Sequence, residues 1–123
     1  MTTLNPSDKS ANITLTNGNL TATWNGSAGS VRSTLSKSSG KVYFEATHNV
    51  PPGVVSGVGL VNAAYAITGF TNTANTIYSR LDGTQIQGNV ATLGATTNFL
   101  GSGQTGSFAV DLTDLLYWGR SIG

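Results

Sequence analysis

The chain has no cysteine, a single histidine, three prolines, and only six Lys or Arg and five Asp or Glu in 123 residues. Each scarcity closes off a class of chemistry. Without cysteine there is no disulfide framework, no thiolate metal site and no redox motif, and the compartment is left open. With His48 alone there is no histidine pair for zinc. The six cations are scattered and the net charge is +1, far too little for a footprint on a phosphate backbone, so nucleic acid is not an expected partner. No run approaches the ~18 apolar residues that span a bilayer. The start, Met1-Thr2-Thr3-Leu4-Asn5-Pro6, has neither the basic opening nor the apolar stretch of a signal peptide. The expectation is a chain with no cofactor and no membrane insertion.

Glycine, serine, threonine and asparagine fill nearly half of the positions, and 38% of residues are hydrophobic and spread along the chain. That balance argues against disorder. The length suits one domain with one core, with no need for a covalent staple.

The local patterns are those of strands. The opening, Asn5 to Ser10, is polar and reads as a loop or arm. Ile13 and Leu15 alternate with polar residues, Asn17-Gly18 is a turn dipeptide tolerant of positive φ, and Leu20, Ala22 and Trp24 alternate again, which predicts a hairpin. On that alternation Trp24 is expected in the core with Leu20 and Ala22. Val31, Ser33 and Leu35 predict a short strand. In residues 41–48, Val42, Phe44 and Ala46 face one way and Tyr43, Glu45 and Thr47 the other. Pro51-Pro52-Gly53 ends that strand. Residues 54–61 predict a buried strand, residues 63–67 a helical turn or short strand, and residues 68–76 a polar loop.

Ile77 to Leu81 and Thr84 to Gln87 flank Asp82-Gly83, a second hairpin signal, which Val90 to Leu93 extends. Gly101 to Gly106 is a loop; Phe108, Val110 and Leu112 alternate with Ala109 and Asp111; Thr113-Asp114 turns the chain, and Leu115 to Trp118 returns. Abundant β-formers between closely spaced turns predict an all-β antiparallel sandwich or barrel. The expected division is an N-terminal arm over residues 1–12 and a single β-sandwich domain over 13–123.

The order of these segments carries a family resemblance. Leu4-Asn5-Pro6-Ser7-Asp8-Lys9 precedes Ile13-Thr14-Leu15; then come Gly40-Lys41-Val42-Tyr43-Phe44-Glu45-Ala46, Gly57-Val58-Gly59-Leu60-Val61 and Gly106-Ser107-Phe108-Ala109-Val110-Asp111-Leu112. The set resembles the SPRY domain in its phage and bacterial versions, over residues 4 to 120. The resemblance implies a concanavalin-like sandwich of two antiparallel sheets and a non-catalytic recognition module whose loops choose the partner. SPRY domains usually continue past the segment matched by Asp111 to Arg120 with further strands. A minimal version, a piece of a longer protein, and completion of the sandwich by a neighbouring subunit all fit that departure.

Each chemically suggestive residue has a plain structural reading beside it. His48 reads as a solvated or hydrogen-bonded strand end. Asp111 and Asp114 flank a turn, where Asp serves through local hydrogen bonds; a calcium site from Asp82, Asp111 or Asp114 has no EF-type spacing behind it. Glu45 shares a face with Tyr43 and reads as an exposed or paired sheet residue. The glycines of Gly101 to Gly106 precede a strand, whereas a phosphate cradle needs a helix. Sequons at Asn12, Asn19 and Asn25 follow from composition. Tyr117 and Trp118 point to opposite faces, so one of them leaves the core. Among the aromatics, Tyr78 is the leading ligand candidate, with Asn72, Asn75 and Arg80 as polar neighbours able to stack on and hydrogen-bond a glycan.

Three functions follow as expectations. The first is a virion surface component, capsid decoration or tail/fibre protein, in contact with capsid or tail proteins and present as a homo-oligomer or in many copies. The second is a carbohydrate- or receptor-binding adhesin that attaches to host-surface glycan by avidity. The third, and least favoured, is a glycosidase, for which Glu45 and the four Asp residues supply no recognisable pair.

Overall fold

The structure, a computed structural model, describes residues 1–26, 28–49, 56–67, 76–80, 85–87, 90–93, 102–114 and 116–122. Among these there is no helix, and every strand pairing is antiparallel. The all-β class expected from the sequence is the class observed. The chain divides into two compact units, Met1–Lys37 with Tyr65–Thr71, and Ser38–Ala64 with Asn72–Gly123.

The first unit contains β1 (Leu4–Lys9), β2 (Ile13–Thr16), β3 (Thr21–Trp24) and β4 (Val31–Ser33). The stretch read as a loop is strand β1, paired with β4 and irregular in register between Leu4 and Lys9. Pro6 is tolerated because β1 pairs with a single strand among the described residues, its other contact being the Leu4 amide on the Asn19 carbonyl at 2.9 Å, and proline costs little on such an edge. Arg32 on β4 donates twice to the Asp8 carboxylate, Nε to Oδ2 at 2.7 Å and Nη2 to Oδ1 at 2.9 Å, a fork that locks the ribbon. The predicted β2–β3 hairpin is present, with Thr16 opposite Thr21 and Ile13 opposite Trp24. Its connection takes Asn17, Gly18 and Asn19 through positive φ (53°, 64° and 64°) before the Leu20 amide donates to the Asn17 carbonyl at 3.2 Å.

The expected core position of Trp24 is overturned: it is 41% exposed and Leu20 is 51% exposed, whereas Ile13 is buried. Ile13, opposite Trp24 on the same face, is covered while Trp24 is not: in a hairpin of two short strands, alternation fixes which residues share a face but not which of them is covered. Among the described residues of this unit, Ile13 and Tyr65 are buried. Ser10 accepts the Ser30 amide at 2.9 Å and donates its hydroxyl to the Ile67 carbonyl.

The second unit holds two sheets. β6 (Gly57–Val61), β7 (Thr76–Arg80), β8 (Gln85–Gln87) and β9 (Val90–Leu93) follow one another as an antiparallel meander. The hairpin predicted around Asp82-Gly83 is the β7–β8 pair, and β9 adds a third arm to it; Asp82 and Gly83 themselves lie outside the described residues. The other sheet has β10 (Thr105–Asp111) between β5 (Lys41–Thr47) and β11 (Leu116–Ile122). β5 shows the alternation read from its sequence, with Val42, Phe44 and Ala46 less exposed than their neighbours. Central β10 is largely buried, and Phe108, fully buried, stacks on Phe44 with ring centroids 5.0 Å apart and planes 16° from parallel.

Candidate functional site

Strand period fixes what the outer face of the three-stranded sheet presents. Residues two apart share a face, and the register aligns three rows across the strands. Tyr43, Ala109 and Trp118 form one row, Glu45, Ser107 and Arg120 the next, and Lys41, Asp111 and Leu116 the third. Tyr43 is 63% exposed, Trp118 54% and Leu116 46%. Trp118 of the Tyr117-Trp118 pair is thus exposed. Tyr43 and Trp118 are two strand spacings apart, about 10 Å. With the small Ala109 between them, they frame an open cleft of about 220 Å³ that Lys41 and Asp111 also line.

Polar groups surround the two rings. The Tyr43 hydroxyl donates to the Glu45 carboxylate, which fits the sheet pairing expected of Glu45. That hydrogen bond, with burial and the carboxylate's charge adding to it, holds the phenol above its ordinary pKa. At the other end, Asp111 Oδ1 accepts the amides of Thr113 (3.0 Å) and Asp114 (3.2 Å), and Lys41 Nζ lies 3.6 Å from Oδ2. The Asp114 amide bond is the main reason the Asp111 carboxyl sits below its ordinary pKa. This is the local turn role expected of Asp111. The turn is tied down further by the Leu112 amide on the Gly40 carbonyl (2.9 Å) and the Gly40 amide on the Thr113 hydroxyl (3.1 Å).

His48 is the hydrogen-bonded strand end of the two expected settings through its backbone, and not the solvated one. It is buried instead of solvated, and its Nδ1 has no hydrogen-bond partner among the described residues. Its backbone exchanges bonds with the segment ahead of β10: the His48 amide donates to the Gln104 carbonyl (3.1 Å) and Gly103 donates to the His48 carbonyl (2.6 Å). Burial pushes the imidazole pKa down. The glycine-containing segment at residues 102–104 leads into a strand, as read from the sequence. No three metal-ligating side chains gather among the described residues.

Of the four residues proposed as a glycan contact, Asn72 and Asn75 lie outside the described residues. Tyr78 and Arg80 belong to β7, where their backbones pair with Gly59 and Gly57 of β6. Tyr78 is also opposite Ile86 of β8, which puts it in a central strand of its sheet and not in a loop. The aromatic row that does stand exposed, Tyr43 with Trp118, was not singled out by the sequence reading. Its signal was the alternation of residues 41–47 combined with the opposite-face argument for Trp118; what was missing was the register that puts both on one level. No helix among the described residues is long and apolar enough to cross a membrane. No family model matches the chain, and no curated protein matches it either.

Proposed function

We propose that this chain is a non-catalytic recognition module of SPRY-like sandwich type. In this reading it is carried in many copies on the surface of a phage particle, as capsid decoration or tail/fibre protein, and binds through the outer face of the β5–β10–β11 sheet. The observation that carries the reading is the pair Tyr43 and Trp118, both more than half exposed and level with each other across Ala109. Single exposed apolar residues are ordinary on a protein surface. Two large aromatics aligned over a cleft, inside a frame of charged and hydroxyl groups, have the composition of an interface core with a polar rim.

Two further observations support it. Glu45 and Asp111 are the carboxylates of this face, one strand and four residues apart. That separation is roughly 14 Å, well outside the ~5–9.5 Å that glycoside hydrolysis requires of an acid pair. The outer edges of β5 and β11 are unpaired among the described residues, and such edges can accept a strand from a neighbouring copy. The test is affinity capture of the tagged chain from a lysate of its native source, with mass spectrometry of the eluate. Major capsid or tail proteins are the expected partners; recovery of the bait alone would contradict the virion setting.

A further inference from the structure

We propose that the cleft between Tyr43 and Trp118 binds a neutral glycan, with the flat C–H faces of two pyranose rings lying on the two aromatic rings. The inference deepens the proposed recognition role and rests on the reading that this sheet face is the binding surface. The size of the site argues for it first. At about 220 Å³ and open to solvent, the cleft is smaller than the ~300–1,000 Å³ pockets that enclose small molecules. It suits a ligand laid across it. The two aromatics are about 10 Å apart, a two-ring span, and Ala109 between them leaves no side chain to lift the ligand away.

Charge argues next. Across the three rows Lys41 is offset by the buried Asp111 3.6 Å away, and Arg120 is matched in its own row by Glu45, so the face selects neither an acidic nor a basic ligand. What it offers instead is a mixture of donors and acceptors: the Glu45 carboxylate, the Tyr43 hydroxyl, the Lys41 ammonium and the Arg120 guanidinium. Sugar hydroxyls both donate and accept, and carboxylates and guanidinium groups bridge adjacent pairs of them. A π face favours the weakly positive C–H side of a pyranose ring.

A second copy of the chain fits less well. The exposed parts of the two rings amount to roughly 250 Å², which two sugar rings cover, whereas a protein partner of the ~800 Å² class has to engage the rest of the face as well. Weak single-site binding, strengthened by many copies, is the regime this surface supports.

The test uses Trp118 emission. The chain has two tryptophans, so a Trp24→Phe background leaves Trp118 as the only indole. The probes are neutral hexasaccharides of β-1,4-linked glucose, α-1,4-linked glucose and β-1,4-linked N-acetylglucosamine, with an oligogalacturonate as the acidic comparator. At least one neutral probe is expected to shift the emission saturably and more strongly than the comparator. Tyr43→Ala is expected to weaken that binding roughly tenfold, Ala109→Leu to abolish it by filling the cleft, and Tyr43→Phe to retain most of it because the ring remains. All three substitutions are on the solvent side of the sheet, and an unchanged melting temperature checks that each variant is folded. No response to any neutral probe at millimolar concentration, or a response indifferent to Ala109→Leu, overturns the inference. If sugars fail while Tyr43→Ala still removes captured virion proteins, the face binds protein and only the glycan assignment falls. If sugars bind and no virion protein is captured, the virion setting falls and the glycan assignment stands.

Discussion

Phe44 and Phe108 stack at 5.0 Å on one face of the sheet whose opposite face displays Tyr43 and Trp118. The two faces depend on each other, because the stack fixes β5 against β10 and so fixes the level of the exposed row. Phe108 is fully buried and directly opposite Phe44 in register. Phe108→Ala removes a whole ring from a packed site and is expected to cost about 3–5 kcal/mol. Chemical denaturation of wild type and variant measures this, and a loss well under 1 kcal/mol would show that the stack does not hold the sheet.

The β2–β3 hairpin depends on backbone conformation more than on packing. A Cβ on Gly18 would have open space around it, yet its φ of 64° belongs to the left-handed region. Gly18→Ala is therefore expected to destabilise through strain alone, by about 1–2 kcal/mol. Asn at the same position tolerates left-handed φ, so Gly18→Asn should recover much of the loss. Equal melting temperatures for all three proteins would count against this account of the turn.

His48 sets a pH dependence. Its folded pKa is depressed by burial, so below about 6.5 the unfolded chain binds a proton that the folded chain resists. Stability is full above that value and falls as pH is lowered toward the folded pKa, with a slope no steeper than about 1.4 kcal/mol per pH unit for one proton. Melting temperature followed from pH about 7.5 to 5 should decline in the wild type and stay flatter in His48→Phe. Parallel curves would remove His48 as the cause.

Two carboxylates act in a lower window. The Arg32 hydrogen bonds lower the Asp8 pKa, and the turn amides lower that of Asp111. Both contributions are present above about pH 4, the ordinary carboxylate value, and are lost as pH falls through the folded pKa values. Asp8→Asn should reduce stability near neutrality and make the acid limb shallower. An acid limb of unchanged steepness would assign that loss to other groups.

The legible parts of this chain were those with local causes. Asn17-Gly18 marked a turn because its residues accept positive φ, and the strict alternation of Val42, Phe44 and Ala46 marked a two-faced strand. The Asp111 turn was legible because its hydrogen bonds reach only to residues 113 and 114. Strand β1 was missed because its polar residues and Pro6 look like a loop until β4 and the Asp8–Arg32 fork hold them. Trp24 was misplaced because alternation says which residues share a face and is silent on whether anything covers it. The Tyr43–Trp118 row needed the pairing of β5 with β10 and of β10 with β11, and Tyr43 is more than sixty residues from the strand it pairs with. No local pattern encodes that level.

Recognition through the outer face of β5, β10 and β11 is the role we propose for this chain. Sedimentation of purified protein with particles from its native source, comparing wild type with the Tyr43→Ala/Trp118→Ala double variant, tests it most directly. Wild type is expected to pellet with particles, while the double variant, folded and equally stable, stays in the supernatant. Equal pelleting of both proteins, or pelleting of neither, would contradict it.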